Sequence, residues 1–499
     1  MGTDLPGKYR PDSELPVQKL FIDGAFADAS SGATFADINP ANNRKICEVQ
    51  QAAKRDVDLA VAAARRVQPL WAETPARERA KILLRAAELL RAKNDELAEL
   101  ETLDTGKAIV ETRAVDVITG AEVLEFYAGI APAIHGDYVD HPPSAFSLVR
   151  REPLGVCAGV GAWNYPIQIA LWKSAPALAC GNAMVFKPAE LTPLTAGRLA
   201  EIYAEAGLPP GVFNVVQGDG ETGRMLSLHP GVDKISLTGA AETGKRVMAD
   251  AATTLKHVTF ELGGKSPLLI FADCDLEGAV SAALMANFFS TGQVCSNGTR
   301  VFVERAVVDE FLAAIKARTE NIRLGCPFDL RTQAGPLISR EHLQKVEGYM
   351  RDAFDSSARH IAGGRRPQDD SLADGNYIRP AVFADCADDM RFVREEVFGP
   401  LMAVLTFDGE DEAVRRANAT DYGLSAGVFS RDFARAHRVS RRLQAGMVWI
   451  NDYNITPPEV PFGGVKHSGL GRENGLRTVE HYTQLKTIYA NLARVEPYY

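Results

Sequence analysis

The chain of 499 residues is too long for one ordinary hydrophobic core, and its length predicts roughly two to four domains. Its composition, 46% hydrophobic and 24% charged, is that of a globular protein, and the formal charge of −9 at pH 7 argues against a nucleic-acid partner. No apolar stretch approaches the roughly 20 residues that cross a bilayer, so we predict no membrane segment.

The N-terminal stretch MGTDLPGKYRPDSELP contains no apolar core of the kind that a secretory signal needs. We therefore expect a loose tail and a cytoplasmic protein. The seven cysteines include no C-x-x-C pair, which agrees with a reducing compartment. Without H-E-x-x-H or clustered histidines, the sequence predicts no catalytic metal.

An amphipathic helix is predicted to begin after Thr74-Pro75, where the threonine would cap the first turn and the proline would preset it. Leu83, Ala86, Ala87 and Leu90 then fall on one face, which we expect to be buried.

From Val156 onward, short apolar runs alternate with helix-like segments. The runs are VCAGVGA, MVFK, FNVVQ, KISLT and VTFEL. Because strands of this composition suit a parallel sheet covered on both faces, we predict an α/β fold. Its first part would be a doubly wound, Rossmann-like cofactor domain made of residues 1–126 and 152–262.

A second set of strands begins at Ser266–Asp273 and continues through RVFVER, MAVLTF, AGVFS and GMVWIN. The flexible pair Gly263-Gly264 marks the predicted start of a second α/β domain, the catalytic domain, over residues 263–450. Its end falls between about 435 and 465, after which the chain would return toward the first domain.

Two segments have the character of a β-ribbon: the stretch between Tyr127 and Arg151, and the tail QLKTIYANL. Neither has an obvious core of its own, so we expect each to pair with something else, such as another subunit. Residues 127–151 and 480–499 are therefore predicted to form a small oligomerisation ribbon.

Two glycine turns could hold phosphate. Gly218–Gly223 fits G-x-G-x-x-G, although such turns often lack a ligand, and its Asp219 and Glu221 would repel a pyrophosphate. The next turn, Thr238–Gly244, places two glycines and a hydroxyl at a helix N-terminus, and both turns could lie along one cofactor.

Lys187 and Glu190 follow a predicted strand and are three residues apart across a proline. An ammonium and a carboxylate there could bind the two hydroxyls of an adenosine ribose, and the carboxylate would disfavour a 2′-phosphate. A surface ion pair is the alternative interpretation.

Several long motifs occur in one order along the chain. They are WNYP (Trp163–Pro166), FELGGKSP (Phe260–Pro267), GQVC (Gly292–Cys295), EVFGP (Glu396–Pro400) and PFGGVKHSGLGRE (Pro461–Glu473). With these motifs the chain resembles the NAD(P)-dependent aldehyde dehydrogenase superfamily from Leu20 to its tail.

The resemblance implies a catalytic set. Cys295, in a small polar turn, matches the nucleophile that forms a thiohemiacetal and then a thioester, and a thiol of ordinary pKa needs help to ionise. The Asn164 amide and the Cys295 N–H match the oxyanion-hole donors, and Glu261 matches the base that activates water. Lys173 and Glu473 resemble members of a proton relay.

The cofactor implied by the resemblance is NAD, with NADP also open, and the implied assembly is a homotetramer, a dimer of dimers. The matching cofactor residues are Trp163, Lys187, Glu190, Gly220, Gly239, Ala240, Gly244, Leu262, Glu396 and Phe398. One residue departs from the family pattern, because Ala240 stands where a serine is usual and removes a hydroxyl donor to pyrophosphate.

The run WNYPIQIALWKSAP and Asn287–Phe289 look most like the betaine aldehyde branch, which makes glycine betaine. A quaternary ammonium would then meet the aromatic faces of Tyr165, Trp172, Phe289 and Phe462, and each face would contribute roughly 0.5–2 kcal/mol of attraction. The alternative is that these rings form a plain apolar wall.

Residues 451–460 resemble trimethylaminobutyraldehyde enzymes instead, so a longer cationic aldehyde or another aminoaldehyde is an alternative. Asp452 or Glu459 could help to hold a cation or could be a solvated loop charge. Acyl transfer to coenzyme A and a non-enzymatic binding role are further alternatives, and the presence of Glu261 with Cys295 and Asn164 argues against both.

Overall fold

The computed structural model describes residues 7–495, 497 and 499, so part of the predicted loose tail lies outside the described residues. The prediction is wrong for the part that is described. The Lys8 backbone N–H donates to Glu99 at 2.8 Å, Tyr9 is buried, and Leu15 donates to the Ile46 carbonyl. These contacts hold the segment against the body of the protein.

The first sheet has eight strands, and its central part is parallel, as predicted. In spatial order the strands are Gly469–Leu470, His257–Glu261, Lys234–Thr238, Val156–Val160, Ala183–Lys187, Phe213–Val215, Leu20–Ile22 and Ala25–Ala27. The flanking helices are Lys54–Glu73, Ala76–Ala92, Asn94–Thr105, Val117–Ile130, Pro166–Ala179, Leu194–Glu205, Gly220–Leu228 and Ala241–Ala252. Apolar side chains of strands and helices form the core of this unit.

The second sheet has seven strands, all parallel except an antiparallel edge strand at Arg359–Ala362. The others follow in the order Ala381–Ala384, Leu401–Phe407, Arg300–Glu304, Pro267–Ile270, Ser425–Phe429 and Met447–Ile450. Its helices are Leu276–Phe288, Val308–Glu320, Arg340–Asp355, Arg391–Arg394, Glu410–Asn418 and Phe433–Arg442. The two parallel sheets confirm the predicted α/β fold class.

The two segments that were predicted to form a ribbon pair with each other. The strands Asp137–His141, Ala145–Pro153 and Thr483–Asn491 pair with one another in a three-stranded antiparallel sheet, so each finds its partner within the chain. Tyr127 belongs to the helix Val117–Ile130 and is buried, and the ribbon begins only at residue 137. Two strands, Thr34–Ile38 and Lys45–Gln50, form a separate hairpin near the N-terminus.

The predicted threonine cap is also wrong. The helix begins at Ala76 and buries Leu83, Ala86, Ala87 and Leu90, as expected. Thr74, however, ends the preceding helix, because its hydroxyl donates to the Leu70 carbonyl at 3.0 Å.

Within residues 7–495, no helix combines the length and the apolarity that a membrane crossing requires.

Candidate active site

Two cavities of about 230 and 220 Å³ meet between the two parallel sheets. Asn164, Thr238, Glu261 and Cys295 line both cavities. The structure thus brings the predicted nucleophile, base and oxyanion donor to one junction. One cavity leads from the junction along aromatic side chains, and the other along the glycine turn at residue 239.

Cys295 follows the helix Leu276–Phe288 and a short turn, and it is partly buried. Burial, and then the carboxylates of Glu261 and Glu396, raise the pKa of its thiol to about 12. The thiol is therefore protonated at neutral pH in this state, and attack on an aldehyde requires a base or a nearby positive charge. Of the other six cysteines, only Cys326 is exposed.

Asn164 lies two residues before the helix Pro166–Ala179, whose N-cap residue is Tyr165. Its Nδ2 donates one hydrogen to the Gln293 carbonyl at 3.0 Å. A primary amide carries two such hydrogens, so a second one remains for an oxyanion at the cavity junction. The bond to Gln293 also ties Asn164 to the loop that carries Cys295.

Glu261 ends the strand His257–Glu261 and is buried. Neither of its carboxylate oxygens has a hydrogen-bond partner within the part of the chain that the structure describes. Burial, and then the charge of Glu473, raise its pKa well above the ordinary value. A carboxylate with a raised pKa can accept a proton near neutral pH, which is what a general base requires.

Lys173 and Glu473 form a buried ion pair at 3.0 Å, with side-chain exposures of 1% and 2%. Ser236 joins the pair, because Lys173 donates to its hydroxyl at 2.9 Å and the hydroxyl donates to Glu473 at 3.0 Å. Ser236 and Thr238 lie on the same face of their strand, and register pairing sets Thr238 beside Glu261. The cluster therefore lies next to Glu261 on one face of the sheet.

The second cavity contains most of the predicted cofactor residues. Its wall includes Trp163, Gly239, Ala240, Leu262, Glu396 and Phe398. Gly244 lies behind the wall, where an added Cβ would come within 2.8 Å of Leu262. The helix Ala241–Ala252 begins at this cavity, and Ala240 provides no side-chain cap for its first N–H groups. Uncapped backbone donors at a helix N-terminus fit a pyrophosphate.

Lys187, Glu190 and Gly220 do not line this cavity. Lys187 ends the strand Ala183–Lys187, and its Nζ lies 3.5 Å from Glu190. Gly223 lies on the helix Gly220–Leu228, where an added Cβ would come within 3.6 Å of Lys187 Cδ. These residues form a separate group at the carboxyl edge of the sheet, where a nucleotide's far end would lie. Asp219 caps the next helix through its Oδ1.

The second cavity also contains two titratable residues that were not predicted from the sequence, His342 and Lys345. Both lie on the helix Arg340–Asp355, three residues apart and so on one face. The His342 ring contacts Trp163 edge-on at 5.3 Å, and its Nε2 lies 2.7 Å from the Phe398 carbonyl oxygen. Burial lowers the pKa of His342 to about 4, so the ring is neutral. The i, i+3 spacing was the only sequence signal for the pair.

The first cavity is lined by all four predicted substrate residues, Tyr165, Trp172, Phe289 and Phe462. Trp172 and Phe462 meet edge-to-face at 5.4 Å. The loop from Tyr453 to Thr456 completes the wall, and it belongs to the segment 451–460 whose sequence suggested the longer aldehyde. Asp452 and Glu459 are exposed and do not line the cavity, so the interpretation of both as solvated charges agrees with the structure.

Residues 26–488 match the model of the aldehyde dehydrogenase family. The fold is also similar to solved structures. Betaine aldehyde dehydrogenase from Staphylococcus aureus, in complex with NAD+, is 41% identical with a TM-score of 0.94, and the match covers 97% of both chains. PnpE from Pseudomonas sp. WBC-3 is 39% identical with a TM-score of 0.95, and the match covers 97% of this chain and 99% of PnpE.

Proposed function

The chain belongs to the aldehyde dehydrogenase family and is an NAD(P)-dependent oxidoreductase, and from this premise we propose that it oxidises betaine aldehyde to glycine betaine. The observation that carries the proposal is the cavity in which four aromatic side chains lead to Cys295. Within the described chain, no lysine, arginine or histidine lines that cavity, so a cationic tail would meet no positive charge that repels it there.

The proposed reaction begins when the Cys295 thiol passes its proton to water and its sulfur attacks the aldehyde carbon. The second N–H of the Asn164 amide and the Cys295 backbone N–H stabilise the resulting oxyanion. NAD+ held along the second cavity by Trp163, Glu396 and Phe398 would supply the acceptor for the hydride that leaves this carbon. Glu261 then takes a proton from water, and the water hydrolyses the thioester and frees the thiol.

The Lys173–Ser236–Glu473 cluster supports a route for that proton. Glu473 raises the pKa of Glu261 through its charge, and Lys173 lowers it. The protonation of Glu261 is therefore coupled to the charges of the buried Lys173–Glu473 pair. We propose that the Glu473 carboxylate, which the Lys173 ammonium orients, accepts this proton before it reaches solvent.

Three of the four aromatic rings support cation binding directly. Tyr165 differs, because the Lys107 ammonium lies 3.4 Å from its ring centroid and occupies one of its faces. Lys107 is itself paired with the buried Asp116 at 2.6 Å, which compensates its charge. We therefore assign most of the cation attraction to Trp172, Phe289 and Phe462, at roughly 0.5–2 kcal/mol each.

Three aldehydes test the substrate proposal: betaine aldehyde, 4-trimethylaminobutyraldehyde, and 3,3-dimethylbutanal, the uncharged isostere of the first. The proposal predicts a kcat/KM for betaine aldehyde at least about tenfold above that of its isostere, as about 1.4 kcal/mol of cation attraction requires. Equal values for the two would refute cation recognition. A preference for the longer aldehyde would favour the trimethylaminobutyraldehyde alternative, whose support is the sequence of residues 451–460.

The cofactor proposal is NAD rather than NADP, because the Glu190 carboxylate lies beside Lys187 where a 2′-phosphate would be repelled. Measuring kcat/KM with both cofactors tests it. Parallel assays with and without coenzyme A separate hydrolysis from acyl transfer, since the hydrolytic reaction yields free acid in both.

We further propose a cytoplasmic homotetramer. The ribbon supports assembly, because Tyr138, Leu485 and Tyr489 are 62%, 61% and 63% exposed on it. Apolar side chains clustered on one small sheet are typical of a surface that another subunit covers. Light scattering on a size-exclusion column tests the state, and a monomer at working concentration would contradict it. All seven cysteines lie in the described chain and are free, which agrees with a reducing compartment.

A further inference from the structure

The turn before Cys295 has a strained backbone. Ser290 (φ 48°, ψ 36°) and Thr291 (φ 53°, ψ 36°) both adopt the left-handed helical conformation, and Gly292 follows with φ 76°. Residues with a Cβ seldom adopt it, and a β-branched residue there is an outlier. Such strain persists only where the surroundings hold it, and it concentrates at functional sites.

A buried carboxylate from a distant part of the chain holds Ser290. Glu111 Oε1 accepts the Ser290 backbone N–H at 3.1 Å, and Oε2 accepts its hydroxyl at 3.2 Å. Both residues are buried, so water does not compete for these bonds. Thr291 is held separately, by a 3.1 Å bond from its hydroxyl to the Gly335 carbonyl.

Ser290 passes this constraint to the active site by two routes. The Tyr165 hydroxyl, on the substrate cavity, lies 3.0 Å from the Ser290 Oγ. The Ser290 carbonyl accepts the Gln293 N–H at 3.0 Å, and the Gln293 carbonyl accepts the Asn164 amide at 3.0 Å. One serine conformation therefore orients the turn of Cys295, the oxyanion donor and one cavity wall.

We propose that Glu111 is a positioning residue that holds Ser290 left-handed and thereby places Cys295 for attack on the aldehyde. The inference rests on the proposed role of Cys295 as the nucleophile. Without Glu111, Ser290 would relax to the conformation that its Cβ favours, and the turn that carries the sulfur would shift with it. A carboxyl group and a carboxamide both offer an oxygen to the Ser290 N–H, so the contact depends on shape more than on charge.

The test measures the alkylation rate of Cys295 by iodoacetamide, resolved by peptide mass spectrometry, together with kcat. The exposed Cys326 is an internal reference whose rate should not change. Glu111→Ala should lower both the rate of Cys295 alkylation and kcat by about tenfold, because no carboxylate then holds Ser290 in its strained conformation. Glu111→Gln should keep both within about threefold of wild type, because its oxygen still accepts the N–H.

A glycine at position 290 separates positioning from general structural damage, because glycine adopts a positive φ without penalty. In a Ser290→Gly background, Glu111→Ala should change alkylation by less than about threefold. The same tenfold loss in both backgrounds, or no loss in either, would overturn the proposal. If Glu111→Ala alone fails to fold, judged by circular dichroism and NAD+ affinity, the comparison within the glycine background and Glu111→Gln still decide it.

Glu122→Ala is the matched control, because Glu122 lies on the helix Val117–Ile130 and makes no side-chain hydrogen bond within residues 7–495. It should leave kcat and alkylation unchanged. Wild-type protein that oxidises no aldehyde would refute the proposed function. Wild-type activity that alkylation of Cys295 abolishes, together with an unimpaired Glu111→Ala variant, would refute only the positioning role.

Discussion

Replacing Asn164 by alanine removes two hydrogen bonds that have different effects. The side chain donates one hydrogen to the Gln293 carbonyl at 3.0 Å, and the second is proposed to meet the oxyanion. Loss of the first leaves a buried carbonyl unpaired, which lowers the free energy of unfolding by about 1 kcal/mol. Loss of the second removes one donor to the transition state, and such a donor contributes about 3 kcal/mol, or roughly 150-fold in kcat.

The two effects are measured separately. Steady-state NADH production at saturating cofactor gives kcat and KM, and urea denaturation gives stability. We expect Asn164→Ala to lower kcat roughly 150-fold and to change KM for the aldehyde less than about threefold, because binding of the ground-state aldehyde depends little on this donor. Asn321→Ala, an exposed amide that bonds only its own helix, is the control. A kcat within about threefold of wild type in a folded variant would refute the assignment of Asn164 to the oxyanion.

Three further predictions concern charge and packing. Burial and then nearby carboxylates raise the pKa of Cys295 from its ordinary value of 9.0 to about 12. The rate of its alkylation in cofactor-free protein should therefore keep rising above pH 9.0. A plateau below that pH would contradict the prediction. Lys173→Met leaves Glu473 buried without its cation and should lower the unfolding free energy by about 3–5 kcal/mol, whereas adding Glu473→Gln should restore part of it in urea denaturation. His342→Ala removes the bond to the Phe398 carbonyl and should weaken NAD+ binding about fivefold by fluorescence titration, and an unchanged Kd would exclude that role.

The fold could be predicted where local composition determines structure. Apolar runs such as KISLT and MAVLTF became strands of the two parallel sheets, because buried parallel strands need apolar side chains on both faces. The register of the ribbon could not be predicted, since the strand Thr483–Asn491 lies far along the chain from its partner Ala145–Pro153. The predicted Thr74 cap was wrong because the helix Lys54–Glu73 was not predicted, and the Thr74 hydroxyl donates to the Leu70 carbonyl of that helix.

The site shows the same division. Cys295, Glu261 and Asn164 were predicted from motifs and lie at one cavity junction. Glu111 was not predicted, because a single glutamate in a helix carries no sequence signal until the fold brings Ser290 onto it. The raised pKa of Cys295 was not predicted either. The sequence suggested a thiol in need of activation, but only the fold shows that its burial, and then the carboxylates of Glu261 and Glu396, raise that pKa.

The most direct test of the central claim is to trap the acyl enzyme. Glu261→Gln protein, mixed with NAD+ and betaine aldehyde and quenched rapidly, should release about one NADH per subunit and then stall, because the thioester forms but water is not activated. Peptide mass spectrometry should find the acyl group on the Cys295 peptide and on no other cysteine. An NADH burst without a Cys295 adduct, or an adduct on a different residue, would contradict the account.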